Sequence, residues 1–142
     1  MKKIWGILVL VLIFCNVSFA STEKATRWIF HNVMNEHIAC STYFQITADA
    51  LNASARNDLA KKNMKFSRDN LEIAISIAEN IAKVKFEAVM AIAEKNMKEQ
   101  MEMIDNKYRN LAILEKKYSN RCLFLMRDQK AFVDYYTKKY FE

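Results

Sequence analysis

The chain has 142 residues, enough for one ordinary domain, and its 22 Lys and Arg against 16 Asp and Glu give a net charge of +6. It contains one Gly and no Pro. Sheet turns and the loops that bind dinucleotides or phosphates depend on those two residues, so the composition argues against a β-rich fold and against enzymes built on a Gly-rich loop. An all-helical protein remains.

The first twenty residues are typical of a secretory signal peptide. Lys2 and Lys3 precede an apolar run from Ile4 to Phe14, and the small residues Ser18 and Ala20 provide a cleavage site. The run is about half as long as the roughly 20 residues that a membrane-spanning helix needs. We therefore expect cleavage after Ala20, and a protein that is exported to the periplasm or beyond the cell.

Cleavage would leave residues 21–142 as a single helical domain without Gly or Pro. This part of the chain carries 20 cations against 16 anions, a net charge of +4, with both signs interspersed. Such a pattern is typical of solvated helix faces, so we expect no nucleic-acid partner and no transmembrane segment. An envelope protein or an anionic envelope surface fits the mild positive charge better. Lipidation at Cys15 is disfavoured because Phe14 stands where a lipobox has a small residue.

Clusters of Asn, Asp and Ser must end the helices, because these side chains hydrogen-bond to nearby backbone groups. They predict breaks at residues 52–58, 80–83, 105–106 and either 119–120 or 127–128. The break at 80–83 is the weakest, and one long helix over 58–104 is the alternative. Asp128 is the natural N-cap of the last segment.

Apolar residues recur at helical spacing in each segment. In each segment these residues form one apolar face; Cys40 lies on the face of the first helix and Cys122 on the face of the fourth. The other residues of the four apolar faces are Ile29, Val33, Phe44, Thr47, Leu51, Phe66, Ile73, Ile77, Val89, Ala93, Met97, Ile104, Leu111, Tyr118 and Met126. One apolar face per helix predicts an all-α bundle of about four helices, followed by a short C-terminal helix.

Cys40 and Cys122 are the two cysteines that remain once Cys15 leaves with the signal peptide. An even count in an oxidising compartment, on two inward-facing positions, predicts a disulfide between the first and fourth helices. Free buried thiols are the alternative. A redox pair is disfavoured because no Cys-x-x-Cys spacing is present to lower a thiol pKa.

Two stretches of the chain resemble a pattern in small exported bacterial helical proteins of unknown function. They are Glu36-His-Ile-Ala-Cys40-Ser-Thr-Tyr43-Phe44 and Tyr118-Ser-Asn-Arg-Cys122-Leu-Phe-Leu125. The resemblance implies the same two-cysteine bundle and supplies no activity.

The first group of candidate ligands surrounds Cys40. Glu36 and His37 flank this cysteine beside the core face, and the three side chains could bind zinc if Cys40 were reduced. The structural interpretation is a half-buried Glu36 bonded to a Tyr or an Arg, with His37 at the edge of the bundle.

The second group is the methionine cluster Met97, Met101 and Met103, with Met90 upstream. Thioethers are soft ligands that suit Cu(I), but methionine also fills gaps in helical cores. A haem clamped in the bundle is disfavoured because no Cys-x-x-Cys-His motif is present. We expect packing here, no cofactor and no resident metal.

The C-terminal segment is the candidate partner surface. Aromatic rings and cations meet on one helical face, formed by Phe132, Tyr135, Tyr136, Lys138, Lys139 and Tyr140. Docking of this segment over the open end of the bundle is the alternative.

No nucleophile and base can be paired from two histidines and few loop residues, so we expect no enzyme. The sequence favours an exported interaction, accessory or stress module of the cell envelope. The alternative is a small-ligand or copper-type carrier that uses the methionine cluster or the neighbourhood of Glu36, His37 and Cys40.

Overall fold

The computed structural model describes residues 23–142, and all regular structure in that range is helical. Five α-helices follow one another: α1 (Glu23–Ala53), α2 (Asn57–Ile77), α3 (Phe86–Met103), α4 (Ala112–Arg127) and α5 (Gln129–Phe141). A π-helical turn, Ala78–Ala82, extends α2, and a 3-10 turn, Tyr108–Asn110, precedes α4. The all-α prediction is confirmed, and the number of helices differs slightly from the expected count of about four plus a short last one. The predicted signal peptide, residues 1–20, lies outside the described residues.

Left-handed residues follow three of the helical segments, α1, α2 with its π-helical turn, and α3, although glycine is absent from this part of the chain. Ala55, Lys83, Asp105 and Asn106 have φ angles between 53° and 58°, a conformation that costs a residue with a Cβ roughly 1–2 kcal/mol. Three of the four predicted breaks coincide with these residues. The break at 80–83 is thus present, and residues 58–104 do not form one helix.

The fourth break lies at the second of its two predicted places. Ser119 and Asn120 lie inside α4, which continues to Arg127. The carboxylate of Asp128 then accepts a hydrogen bond from the backbone N–H of Ala131 at 3.1 Å. Asp128 therefore caps α5, as the sequence predicts.

The first helix is the centre of the molecule. It packs against each of the other four helices, whereas α3 meets α2 and α4 at only a few points. Five successive residues, Cys40 to Phe44, are buried, so α1 is enclosed on every side at this level. The expectation of one apolar face per helix does not hold for α1, because several of its polar residues are buried and hydrogen-bonded.

One hydrophobic core joins all five helices, and a disulfide crosses it. The sulfur atoms of Cys40 and Cys122 are 2.06 Å apart and the Cα atoms 5.4 Å apart, so α1 and α4 are covalently linked. The predicted pairing is confirmed. None of the helices within residues 23–142 is long and apolar enough to cross a membrane.

Candidate functional site

Residues 36–42 form the central segment of α1, and together they bind every other helix. Glu36 is bonded to side chains of α4 and α5, Cys40 to α4, His37 and Ser41 to α2, and Thr42 to α3. Two turns of one helix thus fix the positions of the other four. All three sequence-derived zinc candidates, Glu36, His37 and Cys40, lie in this segment.

Glu36 holds α4 and α5 together through its carboxylate. Arg121 Nε donates to Oε2 at 2.7 Å, and Arg121 Nη2 and the Tyr136 hydroxyl both donate to Oε1. The hydrogen bond that Arg121 donates to Glu36 raises the pKa of Arg121. Burial, and then the bond to Glu36, raises the pKa of Tyr136. The structural interpretation of Glu36 is therefore correct, with both a Tyr and an Arg as partners.

His37 is fully buried, so its predicted place at the edge of the bundle is wrong. Its Nδ1 lies 2.8 Å from Asn70 Oδ1, while Asn70 Nδ2 donates to the backbone oxygen of Phe66 at 2.8 Å. This second bond fixes the amide orientation, so that Nδ1 of His37 carries the proton. Its Nε2 has no partner within residues 23–142. Burial lowers the pKa of His37 to about 4, against the opposing effects of Asn70 and Glu36.

The proposed zinc ligands do not form a metal site in this arrangement. Cys40 offers no thiolate because its sulfur is bonded to Cys122. Glu36 and His37 are engaged with different helices. Within residues 23–142, no three His, Cys, Asp or Glu side chains are grouped in a way that could hold a metal ion.

Neutral hydrogen bonds join the central segment to α2 and α3. The hydroxyls of Ser41 and Ser67 are 3.2 Å apart. Gln100 of α3 donates from Nε2 to the Thr42 hydroxyl at 2.8 Å and to the backbone oxygen of Ala39 at 2.9 Å. These buried contacts explain why a helix with Ser and Thr at its centre is enclosed. They hold the fold and expose no reactive group.

The methionines lie at the edge of the core. Met97, Met101 and Met103 are half-buried and pack against it, and Met90 is exposed. Lys117 Nζ lies 3.5 Å from Met103 Sδ. The arrangement agrees with a packing role, and Met90 and Met97 also line a groove described below.

The predicted partner surface is divided by the structure. Phe132 and Tyr136 are buried, and the half-buried Tyr140 packs on Trp28 with ring centroids 5.3 Å apart. Tyr135, Lys138 and Lys139 are exposed. Phe141, which the sequence pattern did not single out, is exposed as well. We call Tyr135, Lys138, Lys139 and Phe141 the α5 surface.

Two open grooves, neither of them visible in the sequence, run along α1. The cationic groove has a volume of about 670 Å³ and lies between the C-terminal half of α1, the start of α2 and the beginning of α4; its charged residues are Arg56, Lys62, Arg109 and Glu115. The acidic groove, about 570 Å³, lies where α3 crosses α1 and carries Glu87 and Glu94. Each combines residues from three or more elements, which periodicity within one helix cannot reveal.

The geometry defines an all-α protein with a central helix and one disulfide. No protein-family model matches the chain, and neither the curated proteins nor the solved structures gave a similar protein.

Proposed function

We propose that this is an exported, non-enzymatic protein of the cell envelope that binds an acidic protein partner through the α5 surface. The observation that carries the proposal is the exposure of two aromatic side chains. Phe141 and Tyr135 are 59% and 56% exposed, more than any other large hydrophobic residue within residues 23–142. Exposed aromatic rings next to cations are typical of protein interaction sites.

Export is supported by the amino-terminal sequence and by the disulfide. Residues 1–20 have the charged start, short apolar run and small cleavage-site residues of a signal peptide. The two remaining cysteines are bonded to each other, and such bonds persist in oxidising compartments. Intact-mass measurement of the protein from its native cell tests this step. We expect a chain that begins at Ser21; lipid on Cys15 or retention of residues 1–20 would overturn it.

A binding role is supported by the way in which the potential catalytic groups are used. Glu36 is bonded to Arg121 and Tyr136, the imidazole of His37 is buried against Asn70, and Cys40 is in a disulfide. Each of these groups holds two helices together. The methionine cluster packs on the core, so no observation favours a soft-metal carrier.

The acidic character of the partner is supported by one lysine of the α5 surface. Lys138 pairs with Glu142 at 3.3 Å, whereas Lys139 forms no ion pair within the described residues. An acidic partner can pair with Lys139, while Tyr135 and Phe141 supply apolar contact area.

Site-specific photocrosslinking in the native envelope tests the partner surface. A photoreactive residue at position 135 should form one prominent crosslink, and the same residue at position 61, exposed on α2, should not. Tyr135→Ala combined with Phe141→Ala should weaken the purified complex by about tenfold or more, as expected for aromatic anchors. Ile113→Ala, at an exposed apolar residue near the start of α4, is the control. Equal weakening by both variants, or no crosslink at 135, would overturn the proposal.

A further inference from the structure

The cationic groove is a second potential binding site, remote from the α5 surface. Trp28, next to α5, and Leu51, in the groove, are 23 positions apart along α1, which corresponds to about 35 Å at 1.5 Å per helical residue. Its volume of about 670 Å³ lies within the roughly 300–1,000 Å³ of pockets that bind small molecules. Size therefore permits a small-molecule ligand.

The floor of the groove is aromatic and rigid. Tyr43 and Phe44 are buried, and the rings of Phe44 and Phe66 lie 5.2 Å apart, which joins α1 to α2. Tyr43 stacks on Tyr118 of α4 with ring centroids 5.9 Å apart. Because these rings are held by the core, the apolar base of the groove exists before any ligand binds.

The rim of the groove carries three large apolar residues that are exposed and not packed into the core. Leu59, Tyr108 and Leu123 come from three separate elements, and each is between 40% and 48% exposed. Scattered exposed apolar residues are ordinary, whereas these three lie around one groove, between polar residues such as Ser54, Asn63 and Ser119. The exposed side chains of Leu59, Tyr108 and Leu123 could contact an alkyl chain.

The charges of the groove are unbalanced. Three cationic residues, Arg56, Lys62 and Arg109, line the groove together with one carboxylate, that of Glu115. Neither Arg56 nor Arg109 forms an ion pair within residues 23–142, and the Lys62 ammonium lies 5.8 Å from the centroid of the Phe66 ring. Two guanidinium groups that have no ion-pair partner in the described part of the chain, at the edge of a partly apolar groove, are suited to a carboxylate, which each can bind through two parallel hydrogen bonds.

We propose that the cationic groove binds a single-chain amphiphile with a carboxylate head, of which a free fatty acid is the simplest example. The carboxylate pairs with Arg56 and Arg109, and the alkyl chain lies over Phe44 and Phe66 between Leu59 and Leu123. The acidic groove, with Glu87 and Glu94 around a similar volume, has the wrong sign of charge for this ligand. The site is separate from the α5 surface, so this proposal does not depend on the partner proposed for that surface.

Calorimetric titration of the full mature chain with dodecanoate, kept below its critical micelle concentration, tests the proposal. We expect one binding site per chain. Arg56→Gln combined with Arg109→Gln should weaken binding by about tenfold or more, because charge-assisted hydrogen bonds are lost. Lys139→Gln combined with Lys138→Gln, which removes the same charge from the α5 surface, should leave the affinity unchanged.

Changing the head group separates charge recognition from apolar adsorption. Dodecyltrimethylammonium has the same chain with a cationic head and should bind at least tenfold more weakly than dodecanoate. Equal affinity for the two, equal weakening by both double variants, or binding to anionic phospholipid vesicles without binding to monomeric dodecanoate would overturn the proposal. Binding of an acidic amphipathic peptide in the groove without dodecanoate binding would overturn it as well.

Discussion

The central segment of α1 has two faces that are held in different ways. Towards α4 and α5, Glu36 and Cys40 form charged hydrogen bonds and a covalent bond. Towards α2 and α3, His37, Ser41 and Thr42 form neutral hydrogen bonds only. We call these the charged face and the neutral face.

The difference follows from access to water. Arg121, which neutralises Glu36, is about half exposed, so the charges of the charged face remain partly solvated. The neutral face is enclosed, and it leaves His37 Nε2 and Gln100 Oε1 without partners within the described residues. A buried charge is far more costly than an unpaired neutral group. We therefore expect acid to destabilise the neutral face, since protonation of His37 would bury a charge there. On the charged face, we expect the disulfide to make the largest contribution to stability.

The largest effect should come from the disulfide of the charged face. Cys40→Ser combined with Cys122→Ser removes a link between residues 82 positions apart, and the chain-entropy model gives a loss of about 4–5 kcal/mol in the free energy of unfolding. Urea denaturation measures this loss. A reductant should destabilise the native protein by a similar amount and leave the double variant unaffected. A loss below about 1 kcal/mol would mean that the charged face is held by its hydrogen bonds instead.

Acid should destabilise the neutral face through His37. Its pKa is 6.5 when unfolded and about 4 when folded, so below pH 6.5 the unfolded chain binds a proton that the folded chain excludes. The contribution of neutral His37 to the free energy of unfolding is fully present above pH 6.5. At 1.36 kcal/mol per pH unit, about 3 kcal/mol of it is lost between pH 6.5 and 4. Urea titrations across this range measure the loss.

His37→Gln is the control for the pH effect. It keeps a polar group that can bond to Asn70 but cannot be protonated in this range. The difference in stability between the native protein and this variant should change with pH between 6.5 and 4. A constant difference would contradict the assignment to His37.

A smaller effect is expected from Glu36→Gln on the charged face. The amide retains the shape and can accept from Tyr136, but Arg121 loses its counter-charge. We expect a loss of about 1–2 kcal/mol, reduced by the exposure of Arg121. Glu23→Gln, which breaks an exposed ion pair with Arg27, is the matched control and should cost less than about 0.5 kcal/mol. Equal losses in the two variants would show that partial burial adds nothing to the Glu36 contact.

The smallest effect should come from Gln100→Met on the neutral face. The change removes two donated hydrogen bonds together with the unpaired Oε1. The Thr42 hydroxyl still donates to the backbone oxygen of Ala39 at 2.9 Å. We expect a change of less than about 1 kcal/mol in the free energy of unfolding. A larger loss would show that the neutral face depends on this amide more than on shape.

Features that follow from the chemistry of one type of residue could be predicted from the sequence. Asp128 caps α5 because a carboxylate reaches the backbone N–H three residues on. The pairing of Cys40 with Cys122 followed from their number and their inward positions. The partners of Glu36 could be predicted by type, since a half-buried carboxylate needs donors.

The contacts that bury polar residues of α1, and the surfaces that helices form where they cross, could not be predicted. His37 and Ser41 look like surface residues, and their burial depends on Asn70 and Ser67, which lie 33 and 26 positions away along the chain. The exposure of Phe141 and the two grooves depend on how helices cross. Amphipathic periodicity describes one helix at a time, so it cannot show that α1 is enclosed on every side.

The position of α1 has a consequence for the chain during synthesis. Among the five described helices, the first to be made is the one that the other four cover, and the donors to Glu36 follow 85 and 100 residues later. At typical rates of 5–20 residues per second, Tyr136 is added about 5–20 s after Glu36. Until then the apolar residues of α1 that α4 and α5 cover lack these partners and are prone to association with other nascent chains. The apolar residues of α1 are therefore fully covered only after α5 has been synthesised.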